Sequence, residues 1–413
     1  MLLRLLLVLM LACIAALPVR ASDDRAAAFR QWLEGEFWPK AEASGITRAT
    51  FDKALRGVEP DFSLPDLVKP GGGPPPSLEK QPEFGSPGRY FPQKSLDRLA
   101  GLGRAKAKSD GAALKSIETA TGVPGPVVLA IWGRETAFSG VDVPHDAFAV
   151  LATQAFTGRR KEKFADELLG ALTILQDGYA DRGEMKSSWA GAMGFTQVLP
   201  SYYLTYRADG DGDGRVDIWT SEADALATTA NFLKQKGWVR GLPYAWEVAL
   251  PPSVSCTLEG PDQGKALKAW AALGLKRVDG KPWPASLEAT EMYLVAPAGR
   301  FGPAFLATKN FYVIKEYNES DLYVLYIGTL ADRIAGAGSG FRTPWRDVDT
   351  YRRTEMLEVQ KKLKALGYDI GDRLDGLVGF RMRRATGRFQ EKAGAAADCW
   401  PNRSWTEKIL GAK

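Results

Sequence analysis

Two short stretches of this chain carry the residue types that chemistry needs. The first, VVLAIWGRETAFSG over 127–140, is an apolar run that ends on a single acid, Glu135. At helical spacing Val128, Ile131 and Trp132 share a face, and Glu135 follows four residues after Ile131, at the border of that stripe. A carboxyl there is partly desolvated, which disfavours its charged form and suits a general acid near neutral pH. The ordinary alternative is a surface glutamate paired with Arg134. The second stretch, SSWAGAMGFTQVLPSYY over 187–203, sets Ser188, Gly191, Ala192, Met193, Gly194 and Gln197 ahead of Pro200. Small residues let a bulky polar polymer approach the backbone, although they also serve close helix packing. Together the two stretches point to proton donation at a sugar oxygen, the chemistry of a glycan-cleaving enzyme.

Composition narrows the remaining options. The chain has 413 residues, 45% hydrophobic and 25% charged, as a folded protein of two or three domains would. Its single histidine, His145, leaves histidine-rich zinc sites short of ligands and makes a Ser-His-Asp hydrolase rest on one loop residue. Catalysis therefore falls to carboxylates. Residues 1–21 have the basic start, apolar middle and small-residue end of a secretory signal, with cleavage expected after Ala21. Lipid attachment at Cys13 is the less favoured reading. The net charge of +5 falls to +3 once Arg4 and Arg20 leave, since residues 1–21 hold no acid. That is too mild for nucleic acid; it suits weak association with a membrane or cell-wall complex and is equally ordinary for a soluble protein, while the leader implies export to the periplasm. Cys256 and Cys399 would then remain in an oxidising compartment, either paired or as two separate thiols.

The elements that must position these residues read as mainly helical. Helices are expected over 24–56 in two parts with Thr47 as a cap, then over 95–107, 110–121, the Glu135 segment opening near Pro124 or Pro126, 160–179, 222–236 and 308–335. The proline- and glycine-rich stretch 57–92 is an extended connection. Between 243 and 300, alternation at Trp246, Val248 and Leu250 and the run Tyr293-Leu294-Val295 predict a small β-containing insert. Residues 341–350 read as a linker and 351–413 as a helical module.

The two stretches, with LATQAFTGRR (151–160), ANFLKQKGW (230–238) and GPAFLATKNFYVIKEYNESDLY (302–323), resemble the lytic murein transglycosylase B-type family over roughly residues 25–335. The resemblance implies a mainly α, α+β architecture: a goose-type lysozyme-like core with a small β insert across 22–340. It implies cleavage of the MurNAc–GlcNAc β-1,4 bond of peptidoglycan strands without consumption of water. Glu135 matches the lone acid/base, which protonates the glycosidic oxygen and then deprotonates the MurNAc C6 hydroxyl as that oxygen closes a 1,6-anhydro ring. An internal nucleophile is already held at high effective concentration, so no second carboxylate is needed. Ser188 and Gln197 match positions that hydrogen-bond sugar substituents or orient Glu135, and Tyr317 and Asn318 match a Tyr-Asn pair near the cleft, where Tyr317 would stack on or bond to the glycan. Arg159 and Arg160 would meet peptide carboxylates or, equally, solvent. Phe232 stands where the family often has tyrosine, leaving a ring to stack on a sugar.

Two further motifs concern binding. Asp209, Asp211, Asp213 and Gly214 give the first half of a calcium loop, with Arg215 at the seventh position and Asp217 acting through water. Thr220 replaces the usual closing glutamate, and by resemblance Asp224 closes the loop instead. A metal-free acidic turn is the alternative. The ion would be structural, and the chemistry itself needs no cofactor. Residues 356–394 resemble a peptidoglycan-binding domain type 1, through Leu357, Gln360, Leu363, Leu366-Gly367-Tyr368, Asp375-Gly376, Gly379 and Phe389-Gln390, as a three-helix module. Its Arg381, Arg383, Arg384 and Arg388 form a basic stripe suited to anionic wall polymer or simply to water. A hydrolytic muramidase and a non-catalytic wall-binding scaffold are the competing functions.

Overall fold

The computed structural model describes residues 17–68, 86–338, 340–349 and 351–413. Most of the expected leader, including Cys13, and residues 69–85 of the proline-rich connection lie outside the described residues. Among the described residues no helix is long and apolar enough to cross a membrane. The architecture is mainly α with a two-stranded and a five-stranded sheet, and the chain divides into two compact units.

The first unit comprises residues 1–73, 142–207 and 213–222. At its centre the helices Ala147–Thr157 and Lys161–Gln176 pack together. Phe164, Leu168, Leu172 and Leu175 supply the buried stripe expected from their spacing. Thr47 caps the Arg48–Leu55 helix by accepting a hydrogen bond from the Thr50 amide at 3.2 Å. Buried Glu167 accepts from both the amide and hydroxyl of Ser201, at 2.9 and 2.8 Å. That contact ties the start of the Pro200–Tyr206 helix, just past the glycine-rich stretch, to the long Lys161–Gln176 helix.

The second unit comprises residues 74–141, 208–212 and 223–413. Its axis is the helix Asp321–Ile334, apolar on nearly every face and buried along almost its whole length. The helices Gln93–Ser109 and Gly125–Thr136 pack on it and on each other. The single helix expected over 308–335 is instead two, Lys309–Lys315 and Asp321–Ile334. Ser320 breaks it, its hydroxyl accepting from the Tyr323 amide at 3.3 Å, with Asp321 in the favourable first turn.

The β insert is an antiparallel sheet ordered Lys265–Ala266, Glu291–Val295, Ala304–Ala307, Ala245–Ala249, Lys276–Arg277. Both expected strands are in it. Val248, Trp270, Met292, Leu294 and Leu306 form the core beneath. Residues 340–349 are packed rather than free. Phe341 and Trp345 lie against the Phe91 ring at 4.8 and 5.4 Å, and Glu247 accepts from the amides of Arg342 and Thr343.

The helices Arg353–Ala365, Phe380–Lys392 and Arg403–Gly411 close over Met356, Val359, Leu363, Met382, Trp400 and Ile409. The motif glutamines serve loops: Gln360 Oε1 accepts from the Asp375 and Gly376 amides, and Gln390 Oε1 from those of Asp398 and Cys399. Cys256 and Cys399 are joined in a disulfide across 143 residues, tying this module to the segment beside the sheet.

The Glu135 helix ends abruptly. Ala137, Phe138 and Ser139 all adopt left-handed backbone, with φ of 52°, 58° and 64°, which costs about 1–2 kcal/mol per residue. This reversal lays the Phe138 ring on Trp132, centroids 5.2 Å apart, and over Gly133, where a Cβ would meet the ring at 2.8 Å. Gly133→Ala is therefore expected to lower unfolding free energy by about 1–3 kcal/mol in urea titrations, since the ring must shift and the turn behind Glu135 with it.

Candidate active site

Glu135 lies in the last turn of the Gly125–Thr136 helix, half-buried, while Val128, Ile131 and Trp132 on the adjoining face are buried outright. Burial is the main influence on its carboxyl and raises its proton affinity above the ordinary range. The negative end of the helix dipole acts in the same sense. Two groups oppose the rise: the Tyr323 hydroxyl, which donates to Glu135 Oε1 at 2.6 Å, and the charge of Arg134. Neither is an acid. Tyr323 is 2% exposed, and burial together with the neighbouring carboxyl pushes its own ionisation far up, so it remains a donor. Arg134 is held over the rings of Tyr90 and Tyr326, at 4.8 and 4.7 Å, and donates to the Tyr90 hydroxyl at 3.0 Å.

Tyr323 is the partner that sequence reasoning passed over, although the matched stretch ended on it. Its signal was the cap: with Ser320 starting a helix, Tyr323 falls in the first turn, next to the Tyr317-Asn318 turn. Tyr317 is half-buried there and Asn318 exposed, its Oδ1 accepting from the Ser320 amide at 3.1 Å. Phe232, expected to stack on sugar, is fully buried, with its ring edge-on to Tyr317 at 5.3 Å. Lacking a hydroxyl, it sinks into the Glu222–Gln235 helix packing and supports Tyr317 instead. Within the second unit, then, Glu135, Tyr323, Tyr317 and Phe232 form one connected group.

Ser188, Gln197, Arg159 and Arg160 belong to the first unit. The glycine-rich stretch is a set of tight turns: the Ser188 amide donates to Ala192 O at 2.8 Å, and Met193 and Val198 exchange backbone hydrogen bonds at 2.8 and 2.9 Å. Gly194 has φ of 68°, and a Cβ there would lie 2.6 Å from the Ile218 carbonyl, so only glycine fits. Gln197 has left-handed backbone at φ 57°, and its side-chain amide donates to Gly194 O at 3.0 Å. Strain of that kind, in a non-glycine residue, is retained where the surroundings over-determine it. Trp189, in the same turn, is 39% exposed, an uncommon state for so large an apolar ring. Arg159 and Arg160 face Asp66 at 3.6 and 3.2 Å, partly exposed.

In the acidic loop, Asp209, Asp211 and Asp213 each present a carboxylate oxygen, all within 4.8 Å of one another. Asp224 is not among them. It is 1% exposed and accepts from the Gly210 amide at 2.7 Å, which ties it to the start of the loop. Asp217 accepts from the Trp219 and Thr220 amides and from the Thr220 hydroxyl, and the Arg215 amide donates to Asp213 at 2.7 Å.

The basic stripe of the C-terminal module is largely consumed internally. Arg383 and Arg384 are 3% and 2% exposed, Arg383 paired with Glu259 and Asp321, Arg384 with Asp262 and Asp369. Arg381 pairs with Asp369, and Arg388 is exposed. Helical spacing could not distinguish these fates, because Glu259, Asp262 and Asp321 come from segments remote in sequence.

The fold is shared with known proteins. The structure of SltB3 from Pseudomonas aeruginosa in complex with NAG-NAM-pentapeptide is similar at a TM-score of 0.82 and 36% identity, covering 92% of this chain and 99% of that one. SltB3 in complex with NAG-anhNAM-pentapeptide aligns at 0.80, with the same identity and coverage. The membrane-bound lytic murein transglycosylase B of Escherichia coli (strain K12) is 32% identical over 217 residues, 52% of this chain, and the match spans only 58% of that relative's length. The model of the transglycosylase SLT domain matches residues 28–332. With most of its length matched, Glu135 and Tyr323 included, the chain belongs to the transglycosylase SLT domain family.

Proposed function

We propose that the protein is a peptidoglycan lytic transglycosylase in which Glu135 is the acid and then the base. The carrying observation is a half-buried carboxyl of raised proton affinity held by one tyrosine hydroxyl. Protonated Glu135 gives its proton to the glycosidic oxygen between MurNAc and GlcNAc as that bond breaks. The resulting carboxylate takes the proton of the MurNAc C6 hydroxyl while its oxygen bonds to C1. The 1,6-anhydro ring closes and Glu135 returns to its acid form. Tyr323 keeps the carboxyl oriented through both transfers. The SltB3 complex with NAG-anhNAM-pentapeptide supports this route over hydrolysis by water. Ser188 and Gln197 are the candidates to bond sugar substituents, Tyr317, Asn318 and Trp189 to contact the glycan, and Arg159 and Arg160 to meet stem carboxylates. The signal-like residues 1–21 support export to the periplasm, and the C-terminal module is the candidate for added contact with the wall.

Digestion of purified sacculi with mass spectrometry of the products tests the reading. Anhydro-muropeptides are expected, and reducing ends would instead indicate a hydrolase. Glu135→Gln should reduce turnover about 10³-fold or more, since it removes both proton transfers.

The same substitution should stabilise the fold, in a pH-dependent way. Folding raises the Glu135 carboxyl above its ordinary 4.5, so the folded protein binds that proton more tightly than the unfolded chain. The cost of the ionised side chain is therefore absent below pH 4.5, grows as pH rises toward the raised folded-state value, and is constant above it. Urea midpoints of Glu135→Gln and the parent should coincide near pH 4, with the variant higher at pH 7.

Tyr323→Phe removes a donor that favours the carboxylate. The carboxyl then stays protonated to higher pH, so the alkaline limb of the kcat profile should move upward. A tenfold to hundredfold loss of kcat, about 1.5–3 kcal/mol, should accompany it.

We also propose that the acidic loop holds a structural calcium ion. Three clustered carboxylates form an all-oxygen, hard donor set. At a hundredfold excess over Kd, calcium should add about 2.7 kcal/mol to stability, read as a rise in Tm that EDTA reverses. Asp211→Asn should abolish that rise and leave the proton chemistry of Glu135 intact.

A further inference from the structure

We propose that Arg383, on the second helix of the C-terminal module, is a positioning residue for the catalytic carboxyl. It pins the first turn of the Tyr323 helix through Asp321, and so holds the Tyr323 hydroxyl on Glu135. The inference rests on the acid/base reading of Glu135 and extends it to a part of the chain that carries no chemistry of its own.

The chain of contacts is continuous. The Arg383 guanidinium binds Glu259 with two donors, Nε to Oε2 at 3.0 Å and Nη2 to Oε1 at 2.6 Å. Nη1 donates to the Val378 carbonyl at 2.9 Å. The same Nη2 reaches Asp321 Oδ2 at 3.3 Å, while Lys315 binds Asp321 Oδ1 from the preceding helix. Asp321 opens the Asp321–Ile334 helix, two residues before Tyr323. Burial alone would raise the Asp321 carboxyl, but Lys315 and Arg383 outweigh it and hold it ionised. Glu259 is fixed in turn, its Oε1 also accepting from the Ala296 amide at 2.9 Å.

The module is held to this site from several directions. The Cys256–Cys399 disulfide enters three residues before Glu259, and Arg300 bonds the backbone of Ala397 and Asp398. Asp321, Glu259, Arg383 and Lys315 are thus four interacting groups from four segments, and removing Arg383 leaves Glu259 and Asp321 each short of a buried partner. Two acids on one fork-shaped cation fix direction as well as distance, which an ammonium would not do.

The groups acting on Glu135 itself come from few elements. Arg134 is on its own helix and Tyr323 on the packed Asp321–Ile334 helix. Tyr317 and Tyr90 act on Tyr323, and Lys106 of the Gln93–Ser109 helix lies 4.9 Å from the centre of the Trp132 ring. Arg383 does not touch Glu135, so it acts only through the helix that carries Tyr323.

The test compares Arg383→Met with Arg384→Met in the full-length oxidised chain, on solubilised peptidoglycan across pH. Arg384 is equally buried in the same helix but pairs with Asp262 and Asp369, neither on the Tyr323 helix. Arg383→Met should lower kcat tenfold or more, keep KM within twofold, and move the alkaline limb of the kcat profile upward, as Tyr323→Phe does. Arg384→Met should leave the limb in place. Arg383→Lys, which retains charge but not the fork, should fall between, and it carries the test if the methionine variant does not fold. In a Tyr323→Phe background Arg383→Met should add no further shift of the limb. An unmoved limb with Arg383→Met, or an equal shift with Arg384→Met, overturns the inference. If Glu135→Gln retains turnover, the acid/base reading fails instead, and the two failures are distinguishable.

Discussion

The 2.6 Å hydrogen bond from Tyr323 to Glu135 is the contact on which the site depends. A carboxyl that must both give and take a proton needs its two forms close in free energy at working pH. Burial and the helix end push it toward the acid. A neutral donor on one oxygen draws it back, and because Tyr323 is itself buried it stays a donor in both steps. An arginine or lysine in place of the tyrosine would have over-stabilised the carboxylate and removed the acid.

Holding that bond requires two helices to keep their relative position to a fraction of an ångström. The Asp321–Ile334 helix is buried almost throughout and packs against both the Glu135 helix and Gln93–Ser109. Its start is fixed twice, by the Ser320 cap and by the charges around Asp321. The Glu135 helix is fixed at its end by the left-handed run Ala137–Ser139, which folds Phe138 back onto Trp132. Strain in the turn and burial of a carboxyl both cost stability, and the apolar packing around them offsets it.

Much of this was legible in the sequence, where the signal is local. The apolar stripe placed Glu135 at a helix border, Thr47 announced a cap, and alternation at 246–250 and the apolar run at 293–295 announced strands. What escaped depended on distant partners. Nothing near Arg383 or Arg384 in the chain indicates Glu259, Asp321 or Asp262, so a row of arginines read as a basic surface when two of them are interior. Phe232 misled for the same reason: an aromatic residue in a motif looks alike whether it faces sugar or Tyr317. The break at Ser320 was hidden by apolar residues on both sides that continue a helical period.

The fate of the arginines changes what the C-terminal module is for. A wall-binding appendage needs only a flexible tether and an outward-facing surface. Here the connecting residues 340–349 are packed by Phe341 and Trp345, a disulfide joins the module to the β insert, and one of its two buried arginines, Arg383, is shared with the helix that carries Tyr323. Each of these contacts would be wasted on a tethered binder. They make sense if the module's position and the geometry of Tyr323 are one constraint, so that the chain completes its acid/base pair only when its last helices are docked.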